Sequence, residues 1–256
     1  MSSLSEPKPG IRAVLADDEA SARGLLREYL AAHPEVEIVG EAANGFEAVK
    51  AVSEHRPDLL LLDVQMPKLD GFEVLELLEP RPAVIFTTAY DQYAVKAFDV
   101  QAVDYLLKPF SPERLAEALG RAKARIARGE GTSPREVQGM AEARAEAGRY
   151  LERIVVRSES RIHVVPVERI DYVEAQDDLI RIKAGGETLS KAQTLSDLEK
   201  LLDPTRFVRI HRSCLLHLER LARLELYAKD SHVAILQDGT RLPVSRSGYA
   251  RLKELL

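Results

Sequence analysis

Residues 59–67 read Leu59-Leu60-Leu61-Leu62-Asp63-Val64-Gln65-Met66-Pro67. Four successive leucines carry no polar alternation, so they predict a strand covered on both faces, as in a parallel sheet between helices. Outward from it, 11–16, 36–41, 84–87 and 103–107 are further apolar, strand-like runs. Amphipathic stretches near 19–32, 44–55, 71–79, 91–99 and 112–127 separate them and read as helices. The last has a clear start: Ser111 caps it, Pro112 fits its first turn and Glu113 suits its positive end. Five such units predict an α/β, doubly wound, five-stranded parallel sheet with a ligand site beyond the carboxyl ends of its strands.

The chain has 256 residues, which favours two domains, and 45% hydrophobic residues suffice for two cores. It contains no apolar run of membrane-spanning length, and MSSLSEPKPG at 1–10 has no signal-peptide pattern; it reads as a disordered tail. A single cysteine, Cys214, excludes an internal disulfide framework and a CxxC metal site. A reduced, cytoplasmic protein is expected. The net charge of −5 is unevenly spread: residues 1–127 hold 14 Lys+Arg against 21 Asp+Glu, and residues 151–256 hold 18 against 16. That mild basic excess does not by itself establish nucleic-acid binding.

Residues 128–150 change character. GEGTSPRE (129–136) is rich in breakers and 137–150 in alanine and charge, so the stretch reads as a linker, partly helical at most. Beyond Tyr150 the period becomes two, with strand-like runs at 152–158, 161–167, 170–175, 179–184, 207–216, 223–229 and 232–237. Gly185-Gly186 and Asp238-Gly239 mark tight turns. Short helices fit near 194–203, where Thr194 and Asp197 have capping-box spacing, and near 247–255. The second domain is therefore expected to be mostly β.

Asp17-Asp18 closes the first strand and Asp63 the third, which brings three carboxylates to one rim of the sheet. Crowded carboxylates repel, and a hard divalent cation such as Mg²⁺ relieves that repulsion. Strand four ends in Thr87-Thr88-Ala89 and strand five in Lys108-Pro109. A phosphoryl group on Asp63 needs a cation, a hydroxyl or amide donor and a lysine to hold its oxygens, and all are present at that rim. Each residue alone has an ordinary explanation as surface or turn; the set does not.

Asp17-Asp18-Glu19, the run from Asp63 through Met66-Pro67 to Asp70-Gly71, Thr88-Ala89 and Tyr105-Leu106-Leu107-Lys108-Pro109 resemble the receiver domain of bacterial response regulators over about residues 11–127. The resemblance implies a flavodoxin-like fold in which Asp63 accepts a phosphoryl group from a sensor histidine kinase. It implies Mg²⁺ held by Asp17, Asp18, Asp63 and the backbone carbonyl of Gln65. It further implies that Thr88 and Lys108 contact the phosphoryl oxygens, that Tyr105 turns inward with the switch, and that Lys108–Pro109 is cis. Thr88 is preferred to its neighbour Thr87 because in the family the hydroxyl residue directly precedes the alanine.

Phe207–His211 followed by Arg212-Ser213-Cys214, Asp238-Gly239 through Arg241, Pro243, Ser245 and Arg246, residues 170–175, and Lys191 before Thr194 resemble the LytTR class of DNA-binding domain over about 152–256. That class is mainly β, reads the major groove through loops and commonly binds direct repeats. His211, Arg212, Arg241 and Arg246 are candidate base-edge or phosphate donors. Lys191, Lys183 and Arg209 are candidate phosphate contacts, which position without specifying. His217 stands where the family usually has asparagine, which puts the hydrogen bond of that asparagine in question.

The expected organisation is thus a tail (1–10), a receiver (11–127), a linker (128–150) and a DNA-binding domain (151–256). The expected function is a two-component transcription regulator, homodimeric when phosphorylated, with no activity beyond phosphoryl acceptance and slow self-dephosphorylation. Two other classes are compatible with parts of the sequence. An aspartyl-phosphate phosphatase needs an acid two residues after its nucleophile, where this chain has Gln65. A phospho-regulated adaptor, with a β domain binding protein instead of DNA, is compatible with the modest charge.

Overall fold

The computed structural model describes residues 10–89, 103–158, 161–228 and 231–256. The helix expected at 91–99 and the tail at 1–9 lie outside the described residues. The chain divides into two compact units, one up to Ala143 and one from Arg144 to Leu256.

In the first unit, β1 (Ile11–Ala16), β2 (Val36–Ala42), β3 (Leu59–Asp63), β4 (Ala83–Thr88) and β5 (Asp104–Leu107) form a parallel sheet in the order β2-β1-β3-β4-β5. Between them run α1 (Ala20–Leu30), α2 (Gly45–His55) and α3 (Gly71–Leu77), with α4 (Pro112–Ala127) after β5. The unalternated leucines of β3 are all 0% exposed, as a strand covered on both faces requires. One layer of core joins Leu59, Leu61, Ile85 and Leu106 to Leu26 and Leu30 of α1 and Leu115 and Leu119 of α4. Ser111 caps α4 by accepting from the Arg114 amide. Within 128–150 a thirteen-residue helix, α5 (Pro134–Glu146), follows a segment held by the Thr132 amide and hydroxyl on the Pro82 carbonyl.

The sheet's carboxyl rim is shaped by α3. Asp70 accepts from the amides of Phe72 and Glu73, while the Glu73 carboxylate accepts from the Asp70 amide. A Cβ on Gly71 would fall 2.6 Å from the Asp63 carbonyl oxygen, so only glycine lets α3 start this close to the end of β3. Lys108–Pro109 is cis, as the resemblance implied; so is Glu79–Pro80.

The second unit is mostly β. Among the described residues, β6 (Arg153–Arg157) pairs with β7 (Ile162–Pro166). A five-stranded sheet runs β10-β9-β8-β12-β11, formed by β8 (Ile170–Gln176), β9 (Leu179–Ala184), β10 (Glu187–Lys191), β11 (Phe207–His211) and β12 (Cys214–His217). A three-stranded sheet comprises β13 (Leu221–Ala228), β14 (Ser231–Leu236) and β15 (Arg241–Val244). Helices α6 (Leu195–Leu201) and α7 (Arg246–Leu255) complete it. Gly185, Gly186 and Gly239 take φ of 56°, 86° and 86°, as the turn reading required. Two strands went unread, β10 and β15, and the run 207–216 is two strands joined by a turn at Arg212-Ser213.

Candidate functional site

Strand ends decide the chemistry of the first unit. Asp17 lies just past β1 and is 0% exposed; Asp63 ends β3 and is 6% exposed; Asp18 faces solvent. One carboxylate oxygen from each lies within 4.8 Å of the others. Lys108 Nζ reaches between two of them, 2.6 Å from Asp17 Oδ2 and 3.2 Å from Asp63 Oδ2. The Gln65 amide donates to Asp63 Oδ1 (3.3 Å) and the Glu19 amide to Asp17 Oδ1 (3.0 Å).

Three carboxylates against one ammonium leave two negative charges, two of the carboxylates being buried. Burial pushes the Asp63 carboxyl up to about 6, with Lys108 opposing the rise and Asp17 adding to it. Burial also works against the Lys108 ammonium, but Asp17 and Asp63 outweigh it and hold its pKa above the usual lysine value. A divalent cation with oxygen ligands fits this charge deficit and this donor set, and the exposed side at Asp18 admits the waters that Mg²⁺ retains.

At the neighbouring strand ends, Thr87 and Thr88 are both 1% exposed. Thr87 is the register partner of Asp63; Thr88, one step further along β4, pairs with Leu107 and its carbonyl accepts from the Lys108 amide. Tyr105 is 4% exposed and stacks on Phe86 at 4.8 Å, which in turn packs against Phe72. The ring therefore already occupies an inward position. Beside it, Asp104 is clamped by Arg114 and by Arg121 of α4 (2.7 Å), and Arg114 also donates to the Tyr105 carbonyl (2.8 Å). The sequence reading did not single out this clamp; a carboxylate starting an apolar strand was its only signal.

The second unit gathers part of the expected set. Ser245, before α7, donates its amide and hydroxyl to the Ile210 carbonyl (2.9 and 3.0 Å), which brings the start of α7 against β11. A cleft of about 450 Å³ is lined there by His211, Arg212, Arg209, Arg251, Ser245 and Ser247, with Glu199 as the one acid among the described residues that line it. Arg212 and Arg246 are exposed on adjoining segments. The Ser213 amide donates to His211 Nδ1 (3.3 Å), and the Ser213 hydroxyl lies 2.8 Å from the same nitrogen. Lys191 closes β10 and Lys183 sits within β9. Arg241 opens β15, at the far end of that strand from Ser245, and is paired with Glu225 at 3.2 Å.

His217, at the position where the family usually has asparagine, makes a hydrogen bond of its own. It is 0% exposed, stacks on Phe207 at 4.5 Å, and its Nδ1 lies 2.9 Å from the Ile170 carbonyl. Carbonyls only accept, so Nδ1 carries the proton. Burial pushes the ring's pKa down, which favours the neutral form. Cys214 is buried and pushed up to about 12 by burial, as a core residue and not a reactive thiol.

Residues 13–120 match the family model of the response regulator receiver domain, and residues 160–256 that of the LytTr DNA-binding domain. The sensory transduction protein LytT of Bacillus anthracis is 34% identical over 249 residues, spanning 96% of this chain and 99% of that one. The chain belongs to the LytTR-type response regulators. The transcriptional regulatory protein BtsR of Salmonella typhi is likewise 34% identical over 249 residues, at 96% and 99% coverage. This response regulator therefore joins a receiver to a LytTR DNA-binding output domain of the kind that serves transcription regulation, which favours DNA over the adaptor alternative. No helix of its described residues is long and apolar enough to cross a membrane.

Proposed function

We propose that Asp63 is the phosphoryl acceptor of this response regulator and that its phosphorylation governs DNA binding by the second unit. The observation that carries this is the meeting of Asp17, Asp18, Asp63 and Lys108 at one sheet rim. An Asp63 carboxylate oxygen attacks the phosphorus of a phosphohistidine on a sensor histidine kinase; the O–P bond forms as the P–N bond breaks, and the imidazole leaves. Asp17, Asp18, Asp63 and the Gln65 carbonyl are the groups to hold Mg²⁺, which supplies positive charge for the phosphoryl oxygens. Lys108 moves its ammonium from the carboxylates onto a phosphoryl oxygen, and the Thr88 hydroxyl takes another. Thr88 and Tyr105 then carry the change to the face of β4 and β5, where receivers pair as a homodimer. Two paired output domains bind tandem sites, in direct repeat, with Arg212 and Arg246 on base edges and His211, Lys191 and Arg241 as further contacts. Beyond phosphoryl acceptance and slow self-dephosphorylation, the protein acts as a cytoplasmic regulator and not an enzyme.

Incubation with Mg²⁺ and acetyl phosphate, followed by intact mass measurement, tests the acceptor. The wild type is expected to gain one phosphate, and Asp63→Asn or the wild type in chelator none. An Asp63→Asn protein that gains an equal, base-labile adduct refutes the assignment.

A further inference from the structure

The turn that carries His211 and Arg212 has no glycine or proline to shape it. Arg209, two residues back on β11, holds it from beneath. Its Nη2 donates to the Arg212 carbonyl (2.5 Å) and its Nε to the His211 carbonyl (3.4 Å). Its Nη1 donates to Ser196 Oγ (3.0 Å) and Glu199 Oε2 (2.8 Å) on α6. The backbone beside it is also engaged: the Arg209 carbonyl accepts Nε and Nη2 of Arg251 (3.0 and 2.5 Å), and the Ile210 carbonyl accepts Ser245. The turn bearing Arg212 is therefore held by the Arg209 side chain, and the helix bearing Arg246 by the carbonyls of Arg209 and Ile210.

We infer that Arg209 is a positioning residue for sequence reading, fixing through the His211 and Arg212 carbonyls where the Arg212 side chain begins, and is not a phosphate contact. This rests on the reading of Arg212 and Arg246 as base contacts. All three guanidinium nitrogens already donate within the domain, Glu199 matches the charge, and the side chain is only 19% exposed. Four of its five N–H groups are engaged, so a DNA phosphate could take at most the remaining Nη2–H without breaking those bonds. A bidentate contact such as Arg212 to guanine depends on the direction of its planar fork, so a shift of the turn lowers discrimination more than general affinity. Lysine keeps the charge but cannot serve two carbonyls and a carboxylate from one flat group.

The test uses full-length protein and two probes: duplexes enriched from a random pool by the wild type, and a scrambled duplex of equal length. Affinities are measured over a range of salt concentrations. Arg209→Lys is expected to lose about tenfold or more on the selected duplex. It should lose nothing on the scrambled one and keep the wild-type slope of log affinity against log salt. Glu199→Gln loosens the fork from the α6 side without touching β11, and is expected to lose discrimination less severely at unchanged slope; it serves if Arg209→Lys folds poorly. A phosphate contact behaves differently: lysine would preserve discrimination, and Arg209→Met would weaken both duplexes alike and reduce the slope by about 0.9. Either result overturns the inference. Full discrimination by an Arg212→Ala protein overturns the base-contact reading and the inference with it; loss there, with full discrimination in Arg209→Lys, overturns the inference alone.

Discussion

Asp63 shows how one carboxylate is loaded by its neighbours before any ligand arrives. Its carboxyl titrates near 6 in the folded protein, against an ordinary carboxylate value in the unfolded chain. The folded state therefore holds this proton more tightly, so stability is favoured below about pH 4 and falls as pH rises through about 6. The difference corresponds to about 3 kcal/mol at most. In chelator near neutral pH, Asp63→Asn is expected to be more stable than the wild type by up to that amount, with the gap closing as pH falls toward about 4. Urea denaturation at several pH values measures it, and an Asn variant less stable at neutral pH contradicts it. Thr88 permits a second residue-scale test, because Thr87 shares the register of Asp63. Thr88→Ala is expected to accept phosphate yet fail to raise DNA affinity on phosphorylation, while Thr87→Val does both. The reverse pattern would move the switch hydroxyl to Thr87.

Elements are set by close approaches as much as by pattern. A Cβ on Gly248 would fall 1.9 Å from the Ile210 carbonyl oxygen, so α7 can cross β11 at this distance only with glycine there. Gly248→Ala is expected to cost about 1–3 kcal/mol in denaturant unfolding and to weaken DNA discrimination as α7 moves off. Unchanged stability and discrimination would show that the contact does not set the helix. Why some elements were legible in sequence follows from the same geometry. The leucines of β3 declared a doubly covered strand, and the carboxylates at strand ends declared a rim. Strand β10 was not legible because Glu187–Lys191 lies at a sheet edge, mostly exposed, with no apolar alternation. Strand β15 is four residues long, contains Pro243, and is also an edge. The turn inside 207–216 was hidden because Arg209 and His211 side chains shape it where breaker residues usually would. Arg209 itself read as a candidate phosphate contact, since sequence shows a charge but not the carbonyls its side chain donates to.

Across the whole molecule the acidic rim and the arginine-lined cleft lie in separate compact units. Under the proposed function the connection between them is a shift in populations, in which phosphorylation would favour paired receivers and pairing would raise the local concentration of the second output domain at a tandem site. The central claim is that charge chemistry at Asp63 controls DNA binding. Titration of a selected tandem-site duplex with full-length protein, with and without acetyl phosphate and Mg²⁺, tests it most directly. Tighter binding on phosphorylation, by about tenfold or more, is expected for the wild type and absent in Asp63→Asn. Equal affinity of phosphorylated and unphosphorylated wild type, or the same gain in Asp63→Asn, would contradict it.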